Sequence, residues 1–462
     1  WHAANLSFAL CPMLTQSAIE LLLSHGSDEI NAIYLEKLVT GQWAGTMNLT
    51  EPQAGSDLAR IRCKAERADG HYLLRGQKIF ISHGEHDMAE NIVHMVLARS
   101  PDGPEGIKGL SLFVVPKFLP DADGNPGTRN DLRCVSLEHK MGMHASPTAV
   151  MSYGDDGGAQ AFLIGEENRG IEYMFIMMNA ARLAVGMEGV GIAERAYQQA
   201  RDFAKDRVQS RALTGGGADP VTIIHHPDVR RMLGAVDIAR HHTDTAQRAR
   251  AQAFIDLMTP VAKAFSTDVA SEVADLGIQV HGGMGYIEET GAAQHARDVR
   301  VTRIYEGTNG IQANDLVGRK VARDEGIAAG ELIKAMRETV ADLAADDNGL
   351  DDLVEPLTTA VRALETATDW IVETWPQDPA PAAAGAVHYL RLMGIATGGW
   401  LLAQGALRAA QCKDQGDTNP YLDHKVLSAR FFAEQYLPQA AALRATILAG
   451  GGTIATVSPD AF

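Results

Sequence analysis

A change of pattern at about residue 165 constrains the fold of this 462-residue chain more than any other feature. From about Gly45 to Gly165, short runs rich in Val, Ile, Leu and Phe alternate with Gly, Pro and Asp, as strands joined by tight turns do. After Gly170 these runs stop, and apolar residues recur at the spacing of amphipathic helices. Strands followed by helices, without alternation, predict an α+β fold.

The strand-rich stretch contains one clear hairpin. Asp69-Gly70 separates the runs Arg62–Ala68 and His71–Arg75, and Asp-Gly is a strong signal for a hairpin turn. Further strand-like runs are Asn91–Arg99, Leu110–Pro116, Arg133–Glu138 and Thr148–Tyr153. Several short strands of this kind are typical of a compact β-barrel or sandwich.

Helical patterns occupy the rest of the chain. A short helical opening runs to about Leu38, and a last helical block, with a loop expected at Pro376–Pro381, runs from about Gly326 to Gly450. Between them, the long amphipathic candidates are Ile171–Arg207, Pro227–Leu257, Val261–His281 and Ala293–Arg303. Four such helices with short connections predict an antiparallel bundle.

Charge and composition exclude some partners. The chain has 41 Lys and Arg against 58 Asp and Glu, and a net charge of −17 is unfavourable for binding nucleic acid or an anionic membrane. The longest uncharged apolar stretch, Leu392–Leu407, has 16 residues. A membrane-spanning helix needs about 20, so no membrane insertion is expected. Four separated cysteines without a C-x-x-C pair favour a reducing cytoplasm.

Several common catalytic motifs do not occur in the sequence. No G-x-G-x-x-G follows a strand-like run, and there is no Walker A loop, H-E-x-x-H or G-x-S-x-G. The histidine pairs at 225–226 and 241–242 are chain neighbours, which point to different faces of a helix. No metal site is therefore predicted.

Two glycine-containing segments are candidates for binding a polar ligand. Thr50-Glu-Pro-Gln-Ala-Gly-Ser-Asp57 follows a strand-like run and offers backbone N–H groups and hydroxyls; an ordinary turn is the alternative. Gln279-Val-His-Gly-Gly-Met-Gly-Tyr286 follows a helix, and its glycines allow a phosphate-bearing ligand to approach the backbone. A helix C-cap with a loop is the alternative there.

A third segment, Arg303-Ile-Tyr-Glu-Gly-Thr-Asn-Gly-Ile-Gln312, contains a candidate general base. Glu306 stands beside Gly307, and a carboxylate next to a flexible glycine can project into a cleft. Loss of water in a cleft raises the pKa of a carboxyl group above its usual value of about 4.3, as general-base catalysis near neutral pH requires. A solvated loop glutamate paired with Arg300 or Arg303 is the alternative.

In their order and spacing, these segments resemble the acyl-CoA dehydrogenase family. The motifs are T-E-P-x-A-G-S-D, G-x-K-x-[FW]-I-[ST], H-G-G-x-G-[YF] and R-[IV]-x-x-I-Y-E-G-T-x-x-I-Q, and the match covers about Trp43 to Arg319. The block after Arg319 and the segment at 139–148 resemble the longer members, such as the 3-methylmercaptopropionyl-CoA dehydrogenases of sulfur metabolism and some long-chain enzymes.

The resemblance implies four domains. Residues 1–44 would be the remnant of an N-terminal helical domain; because the chain begins at Trp1 rather than Met, we expect sequence before it to be missing. Residues 45–165 would form a middle β-barrel, 166–322 a four-helix bundle that carries the catalytic glutamate, and 323–462 an additional C-terminal helical domain.

The resemblance also implies the chemistry. FAD would be the cofactor and an acyl-CoA thioester the substrate, with Glu306 removing the α-proton and flavin N5 accepting a hydride from the β carbon, to give a trans-2-enoyl-CoA. Hydrogen bonds to the thioester oxygen, from the base's own backbone N–H and a flavin ribityl hydroxyl, would stabilise enolate-like charge.

The family's binding residues transfer to positions in this sequence. Residues that match cofactor-binding positions are Met47, Leu49, Thr50, Phe80, Ser82, Arg207, Gln209, Gln279, Gly282, Gly283 and Thr308. Residues that match positions near the thioester or pantetheine arm are Ser56, Asn179, Arg182 and Gly307. In the family a neighbouring subunit supplies some cofactor contacts, so a homodimer or tetramer is implied.

Alternative functions remain open at this point. Electron-transferring flavoprotein would be the electron acceptor of a dehydrogenase, whereas an acyl-CoA oxidase with the same base would use oxygen. A DNA-binding adaptive-response relative of the same fold is a third candidate, which the charge of −17 disfavours. A non-catalytic assembly partner is a fourth, which the intact Glu306 disfavours.

Overall fold

The computed structural model describes residues 1–209, 222–223, 248–458 and 460. The chain divides into two compact units, Trp1–Ala184 and Val185–Phe462. The first unit combines helices with a β-barrel, and the second is helical wherever it has regular structure in the described part. This distribution confirms the α+β fold predicted from the sequence.

Two helices open the first unit, α1 (Leu6–His25) and α2 (Asp28–Val39). Helix α1 packs closely on the first strand at Gly45, whose N–H donates to Thr15 Oγ1 at 3.0 Å. A Cβ atom at Gly45 would lie 2.7 Å from the Cβ of Ala18, so a larger residue would force the helix and strand apart.

Ten short strands follow in chain order. They are β1 (Trp43–Asn48), β2 (Lys64–Arg67), β3 (Tyr72–Ser82), β4 (Asn91–Arg99), β5 (Leu110–Pro116), β6 (Phe118–Pro120), β7 (Pro126–Arg129), β8 (Leu132–Leu137), β9 (Thr148–Tyr153) and β10 (Ala159–Ile164). β4, β5, β10 and β3 pair in that order, and β2 pairs with both β3 and β4. These pairings close a five-stranded barrel, which β1 extends from β4, and β9 and β8 extend from β3.

Most of the predicted strands are confirmed. β4, β5 and β9 have the predicted bounds, and β2 and β3 form the antiparallel hairpin around Asp69-Gly70. β8 starts and ends one residue earlier than predicted. β1 is the strand-like run expected before Thr50, although its bounds were not predicted. β6, β7 and β10 were not predicted, because they are short and contain residues such as Pro120, Pro126 and Gln160 that weaken the strand pattern.

Helices make up the rest of the described chain. They are α3 (Gly170–Asp206), α4 (Arg248–His281), α5 (Ala292–Val299), α6 (Asn309–Asp315), α7 (Ile327–Ala344), α8 (Val354–Thr374), α9 (Pro379–Ala384), α10 (Ala386–Asp414), α11 (Tyr421–Gln435), α12 (Gln439–Leu448) and α13 (Gly452–Thr456). A π-helical stretch, Leu316–Ala322, follows α6. Buried residues of α7, α8 and α10, among them Met336, Leu364 and Leu392, form the core of the additional helical block.

Two helix predictions are wrong in their bounds. We predicted separate helices before and after Pro260, but α4 runs through it. The buried neighbours Leu257, Val261 and Ala264 keep the helix packed although the proline removes one backbone donor. Residues 227–247 of the earlier candidate lie outside the described residues. The predicted helix Ala293–Arg303 is α5 followed by a 3₁₀ turn, Arg300–Arg303.

In the part of the chain that the structure describes, the helices α1 and α3 are long and apolar enough to span a membrane when judged by length and composition alone. Buried core helices meet the same criteria, and Ala18, Leu21 and Leu22 of α1 are fully buried inside the first unit. The stretch Leu392–Leu407 lies within α10, which is a largely buried helix, as predicted.

Candidate active site

A buried ion pair joins two of the sequence motifs in the first unit. Lys78 Nζ lies 2.9 Å from Glu51 Oε1 and 2.9 Å from the Leu49 carbonyl oxygen. The two charged side chains are only 0% and 3% exposed. The backbone N–H groups of Arg62 and Cys63 donate to the same carboxylate at 2.7 and 3.0 Å. The glutamate of T-E-P and the lysine of G-x-K therefore hold the two motifs together.

The partners of Glu51 keep it ionised. Burial alone would raise the pKa of this carboxyl group, but the Lys78 ammonium and the two backbone N–H donors outweigh burial and hold the pKa below its usual value. A buried ion pair with these additional hydrogen bonds is stable, whereas loss of either member leaves an uncompensated charge. The pair therefore fixes the chain at Leu49–Glu51 against β3.

An exposed aromatic ring stands at an irregularity of β3. The register between β3 and β9 shifts between Lys78 and Ile81. Phe80, inside the shift, has φ 60° and is 59% exposed, although large aromatic side chains are normally buried. Such a bulge with an unusual backbone conformation is a typical device for aiming a side chain at a ligand.

The other residues predicted to bind the flavin ring lie around Phe80. The Thr50 carbonyl oxygen accepts the N–H of Ile79 at 2.9 Å, and the Ser82 carbonyl oxygen accepts the Thr46 hydroxyl at 2.7 Å. Both Thr50 and Ser82 are partly exposed. Met47 and Leu49, on and just after β1, are respectively half-buried and buried. The structure thus brings all five predicted ring contacts to the ends of β1 and β3.

The predicted substrate residues of the first unit fall into two places. Ser56 is exposed in a loop, where Asp57 Oδ1 accepts the Ala59 N–H at 3.2 Å and starts a 3₁₀ turn. Asn179 and Arg182 lie one turn apart on α3, and the Arg182 guanidinium donates to Asn179 Oδ1 at 3.2 Å. Arg182 is only 7% exposed, so its charge is largely removed from water.

Glu306 lies in a left-handed turn of the second unit. Its φ is 55°, and that of Gly307 is 81°. A non-glycine residue keeps this conformation only where its surroundings hold it. The Glu306 side chain is half-buried. Arg303, one of the partners in the alternative interpretation, pairs with Asp268 Oδ1 at 2.6 Å.

Hydrogen bonds from two buried side chains, Lys263 and Gln312, hold the Glu306 turn. Lys263 on α4 is 0% exposed, and its Nζ donates to the Gly307 carbonyl oxygen and to Asn309 Oδ1, both at 2.9 Å. Gln312 Nε2 donates to the Glu306 carbonyl oxygen at 3.3 Å. The backbone is therefore anchored at the predicted base and at the residue after it, which fixes the direction in which the carboxylate projects.

The residues predicted to meet the adenosine diphosphate half share exposed positions near helix ends. They are Arg207 and Gln209 after α3, Gln279, Gly282 and Gly283 at the end of α4, and Thr308 before α6. Thr308 Oγ1 also accepts the Ile311 N–H at 3.3 Å and caps α6. Gly282 has φ 58°, and a Cβ there would have no atom within 4 Å, so the glycine serves the turn and not close packing.

Comparison with known proteins identifies the family. Family models match residues 46–155 (acyl-CoA dehydrogenase, middle domain), 168–321 (acyl-CoA dehydrogenase, C-terminal domain) and 332–458 (acetyl-CoA dehydrogenase C-terminal like). The 3-methylmercaptopropionyl-CoA dehydrogenase of Ruegeria pomeroyi is 49% identical over 99% of this chain and 80% of its own length. The chain belongs to the acyl-CoA dehydrogenase family.

Solved structures of acyl-CoA dehydrogenases share the fold. ACDH-11 of Caenorhabditis elegans, in complex with C11-CoA, has a TM-score of 0.72 at 24% identity and covers 93% of this chain and 72% of its own. An acyl-CoA dehydrogenase of Bacillus anthracis complexed with FAD has a TM-score of 0.70 at 20% identity, with coverage of 94% and 73%. The domain boundaries given above stay predictions.

This acyl-CoA dehydrogenase family member also has a second glutamate close to Glu306, which no sequence motif indicated. Glu188 on α3 is 0% exposed, and its Oε2 accepts the hydroxyl of Tyr305, the residue before Glu306. Burial raises the pKa of Glu188 to about 8. A sequence signal was present, because Glu188 is the one charged residue in the otherwise apolar and glycine-rich run 183–193.

Three potential metal ligands also come together in the first unit. Cys11, His83 and His86 each place a ligand atom within 4.8 Å of the others. The Met88 N–H donates to His86 Nδ1 at 3.2 Å, so neutral His86 carries its proton on Nε2, which faces Cys11 Sγ at 4.0 Å. This arrangement favours a thiol–imidazole packing contact, and we assign no metal to it.

Proposed function

We propose that this chain removes hydrogen from the α and β carbons of an acyl-CoA thioester and forms a trans-2-enoyl-CoA. The observation that carries the proposal is the anchored Glu306 turn. The glutamate of the family's Tyr-Glu-Gly-Thr context is held in an unfavourable backbone conformation by hydrogen bonds from the buried side chains of Lys263 and Gln312. Membership of the acyl-CoA dehydrogenase family supports the reaction class.

In this proposal Glu306 accepts the α-proton. The α-proton of a thioester is weakly acidic, so the position of the base contributes as much as its basicity. Lys263 keeps the turn in place through Gly307 and Asn309, and its buried ammonium adds positive charge close to where enolate-like negative charge develops. Half-burial of Glu306 limits the water around its carboxylate.

The first unit fits a flavin. The exposed ring of Phe80 offers an apolar face beside the hydroxyl-bearing residues Thr50 and Ser82, and the buried Glu51–Lys78 pair keeps this arrangement rigid. When bound, FAD supplies the acceptor for the β-hydride. Met47, Leu49, Thr50, Phe80 and Ser82 would hold its ring. Arg207 and Gln209, with the second stretch of Gln279, Gly282 and Gly283, would meet the adenosine diphosphate half of the FAD in a neighbouring subunit, and Thr308 would touch the dinucleotide.

We further propose 3-methylmercaptopropionyl-CoA as the substrate, bound with the help of Ser56, Asn179, Arg182 and Gly307. The support is the 49% identity, over nearly the whole chain, with a protein that carries this activity in its name. One methylene in an apolar pocket changes the free energy of binding by only ~1–3 kcal/mol, so neighbouring short acyl-CoAs are the relevant competitors.

The proposal includes an acceptor, an assembly and a compartment. Electron-transferring flavoprotein is the proposed acceptor, a homodimer or tetramer the proposed assembly, and the cytoplasm the proposed location. Cys11, Cys63, Cys134 and Cys412 are all free thiols, as expected in a reducing compartment. The comparisons do not favour the oxidase, since the named relatives are dehydrogenases.

Replacement of the base tests the reaction directly. Glu306→Gln is expected to keep its FAD and lose about 100- to 10,000-fold in kcat, because the amide cannot accept the proton. Glu325→Gln is the matched control: Glu325 also precedes a glycine and has φ 52°, but it is exposed and lies in the turn before α7. A near-normal rate of the Glu306 variant would show that another group is the base.

A substrate panel tests the specificity and the acceptor. We expect 3-methylmercaptopropionyl-CoA to bleach the flavin anaerobically faster than butyryl-CoA or longer acyl-CoAs do. A dehydrogenase is expected to show slow reoxidation of the reduced flavin by air and fast transfer of its electrons to electron-transferring flavoprotein. Rapid release of hydrogen peroxide would assign the oxidase activity instead, and light scattering of the holoenzyme would give the assembly state.

A further inference from the structure

Glu188 is a buried acid that the proposed reaction does not use. It lies on α3 between two glycines that face the backbone of α4. A Cβ at Gly186 would lie 2.9 Å from the Ala262 carbonyl oxygen, and one at Gly189 would lie 3.0 Å from that of Ser266. The two helices therefore approach closely on both sides of Glu188, and its side chain is fully buried. Burying a carboxyl group is energetically costly, so a role for Glu188 is expected even though the proposed reaction does not use it.

The partners of Glu188 favour its acid form. Oε2 accepts the Tyr305 hydroxyl, and Oε1 is buried without a hydrogen-bond partner in the described part of the chain. The pKa of Glu188 is raised to about 8: burial is the main cause and the charge of Glu306 adds to it, while the Tyr305 hydroxyl and Lys263 oppose the increase. At pH 7 the side chain is therefore mostly neutral.

Glu188 is connected to the base through one residue. Tyr305 precedes Glu306, and its N–H donates to the Val301 carbonyl oxygen at 3.1 Å while its hydroxyl contacts Glu188. Tyr305 is thus held at both ends, directly before the strained residue that carries the base. Loss of the contact at Glu188 would free the tyrosine ring and loosen the turn at Glu306.

Resting on the proposed function, we propose that Glu188 is a positioning residue for the base. As a neutral acid it holds the Tyr305–Glu306 turn through the tyrosine hydroxyl and adds no second negative charge next to the Glu306 carboxylate. When Glu188 ionises, two carboxylates share one water-poor interior, and their repulsion displaces the base from its working position.

Two substitutions separate the hydrogen bond from the volume of the side chain. Glu188→Gln keeps the size, the neutrality and an acceptor for Tyr305, and is expected to retain at least about half of the wild-type kcat at pH 7. Glu188→Leu keeps the size but removes the acceptor, and is expected to lower kcat at least tenfold with a smaller change in KM. Both holoenzymes are compared at equal FAD content, with dye-coupled oxidation of the acyl-CoA that bleaches the flavin fastest.

The pH profile gives a readout that a purely structural role would not change. Wild-type kcat is expected to fall as pH rises from 7 to 9, whereas kcat of Glu188→Gln stays level over that range. Among the described residues, the titratable groups that act on Glu188 are those of Tyr305, Glu306 and Lys263. Burial raises the pKa of Tyr305 well above its usual value, so it does not titrate here; Glu306 and Lys263 are present in both proteins and act on both alike.

Glu194→Gln, on the same helix but partly exposed and bonded to Gln198, is the control for substitution in α3. An unchanged kcat in Glu188→Leu, or the same alkaline decrease in Glu188→Gln as in the wild type, would overturn the proposal. Failure of the proposed function would appear differently, as a wild-type flavin that no acyl-CoA bleaches.

Discussion

Each of the two units contains one buried glutamate close to a predicted site residue, and the two carboxyl groups have opposite charge states. In the first unit Glu51 is 3% exposed and faces Lys78 and two backbone N–H groups, which keep its pKa low. In the second unit Glu188 is fully buried, accepts a hydroxyl from Tyr305 and has a pKa of about 8. One carboxyl group is therefore ionised and the other neutral at the same pH.

The difference teaches that donors, and not burial alone, decide the charge of an interior carboxyl group. Both glutamates lose their water, which by itself favours the acid form. Only Glu51 gains a cation and enough N–H donors to compensate. The ionised Glu51 ties the segment after β1 to β3, whereas the neutral Glu188 can lie next to the proposed base without repelling it.

The largest effect is expected where the charged pair is broken. Lys78→Met leaves Glu51 buried without its cation and should lower the free energy of unfolding by about 3–5 kcal/mol. Because Phe80 and Thr50 depend on the same segment, the variant should also lose FAD. Urea denaturation and the flavin absorbance of the purified protein measure both effects.

A double variant sharpens this test. Lys78→Met combined with Glu51→Met removes both charges, and should recover most of the lost stability, because an apolar pair of similar volume is often neutral in place of a buried ion pair. If the double variant is less stable than the single one, the charge on Glu51 is not the cause of the loss.

A smaller effect is expected from Lys263→Met. Gly307 and Asn309 each lose a donor at 2.9 Å, which corresponds to about 1–3 kcal/mol. The variant should lose about tenfold in kcat as the Glu306 turn loosens. It should also shift the alkaline decrease in kcat to higher pH, since Lys263 lowers the pKa of Glu188. If kcat of the variant decreases at the same pH as in the wild type, Lys263 does not influence the titration of Glu188.

The smallest effect is a difference in the pH dependence of stability. The folded-state pKa of Glu188 lies above the unfolded value of about 4.3, so the wild type loses stability as pH rises from about 4.3 to 8. Glu188→Gln does not titrate, and its Tm should exceed the wild-type Tm by at least about 2 °C at pH 8, but not at pH 4.

Glu51→Gln should show the opposite trend. The folded-state pKa of Glu51 is lowered, so its contribution is present above about pH 4.3 and is lost as pH falls through the folded-state pKa. The variant should therefore be destabilised most near neutral pH. Equal slopes of Tm against pH for the two variants would contradict the assigned charge states.

The sequence predicted the local structure where one pattern dominated. β4, β5 and β9 are largely apolar or alternating runs, and their bounds were correct. Asp69-Gly70 correctly located the hairpin of β2 and β3, but β3 continues to Ser82, well beyond the predicted end at Arg75. The motifs also indicated that the segments at 50–57 and 76–82 belong to one site. The structure supplied the reason, a contact between Glu51 and Lys78 across 27 positions of sequence.

The sequence could not predict features that depend on packing between distant segments. Pro260 is a helix breaker by its local chemistry, and only the buried residues around it explain why α4 continues. Glu188 carries no motif, and its meaning comes from Tyr305, which is 117 positions away. Local sequence patterns predict the conformation of the backbone, whereas the charge of a buried group depends on neighbours that only the fold brings together.

The irregularity in β3 has a consequence for how this segment can vary. In a regular strand the side chains of Lys78 and Phe80 would point to the same side. Here the buried side chains are those of Lys78 and Ile81, which are 0% and 2% exposed, and the Phe80 ring between them faces outward. If β3 and β9 paired regularly here with all four residues kept, alternation would turn Phe80 into the interior and Ile81 outward. The exposed ring therefore depends on the extra residue of the irregularity, and a change that restored regular pairing would remove the aromatic platform without altering Phe80 itself.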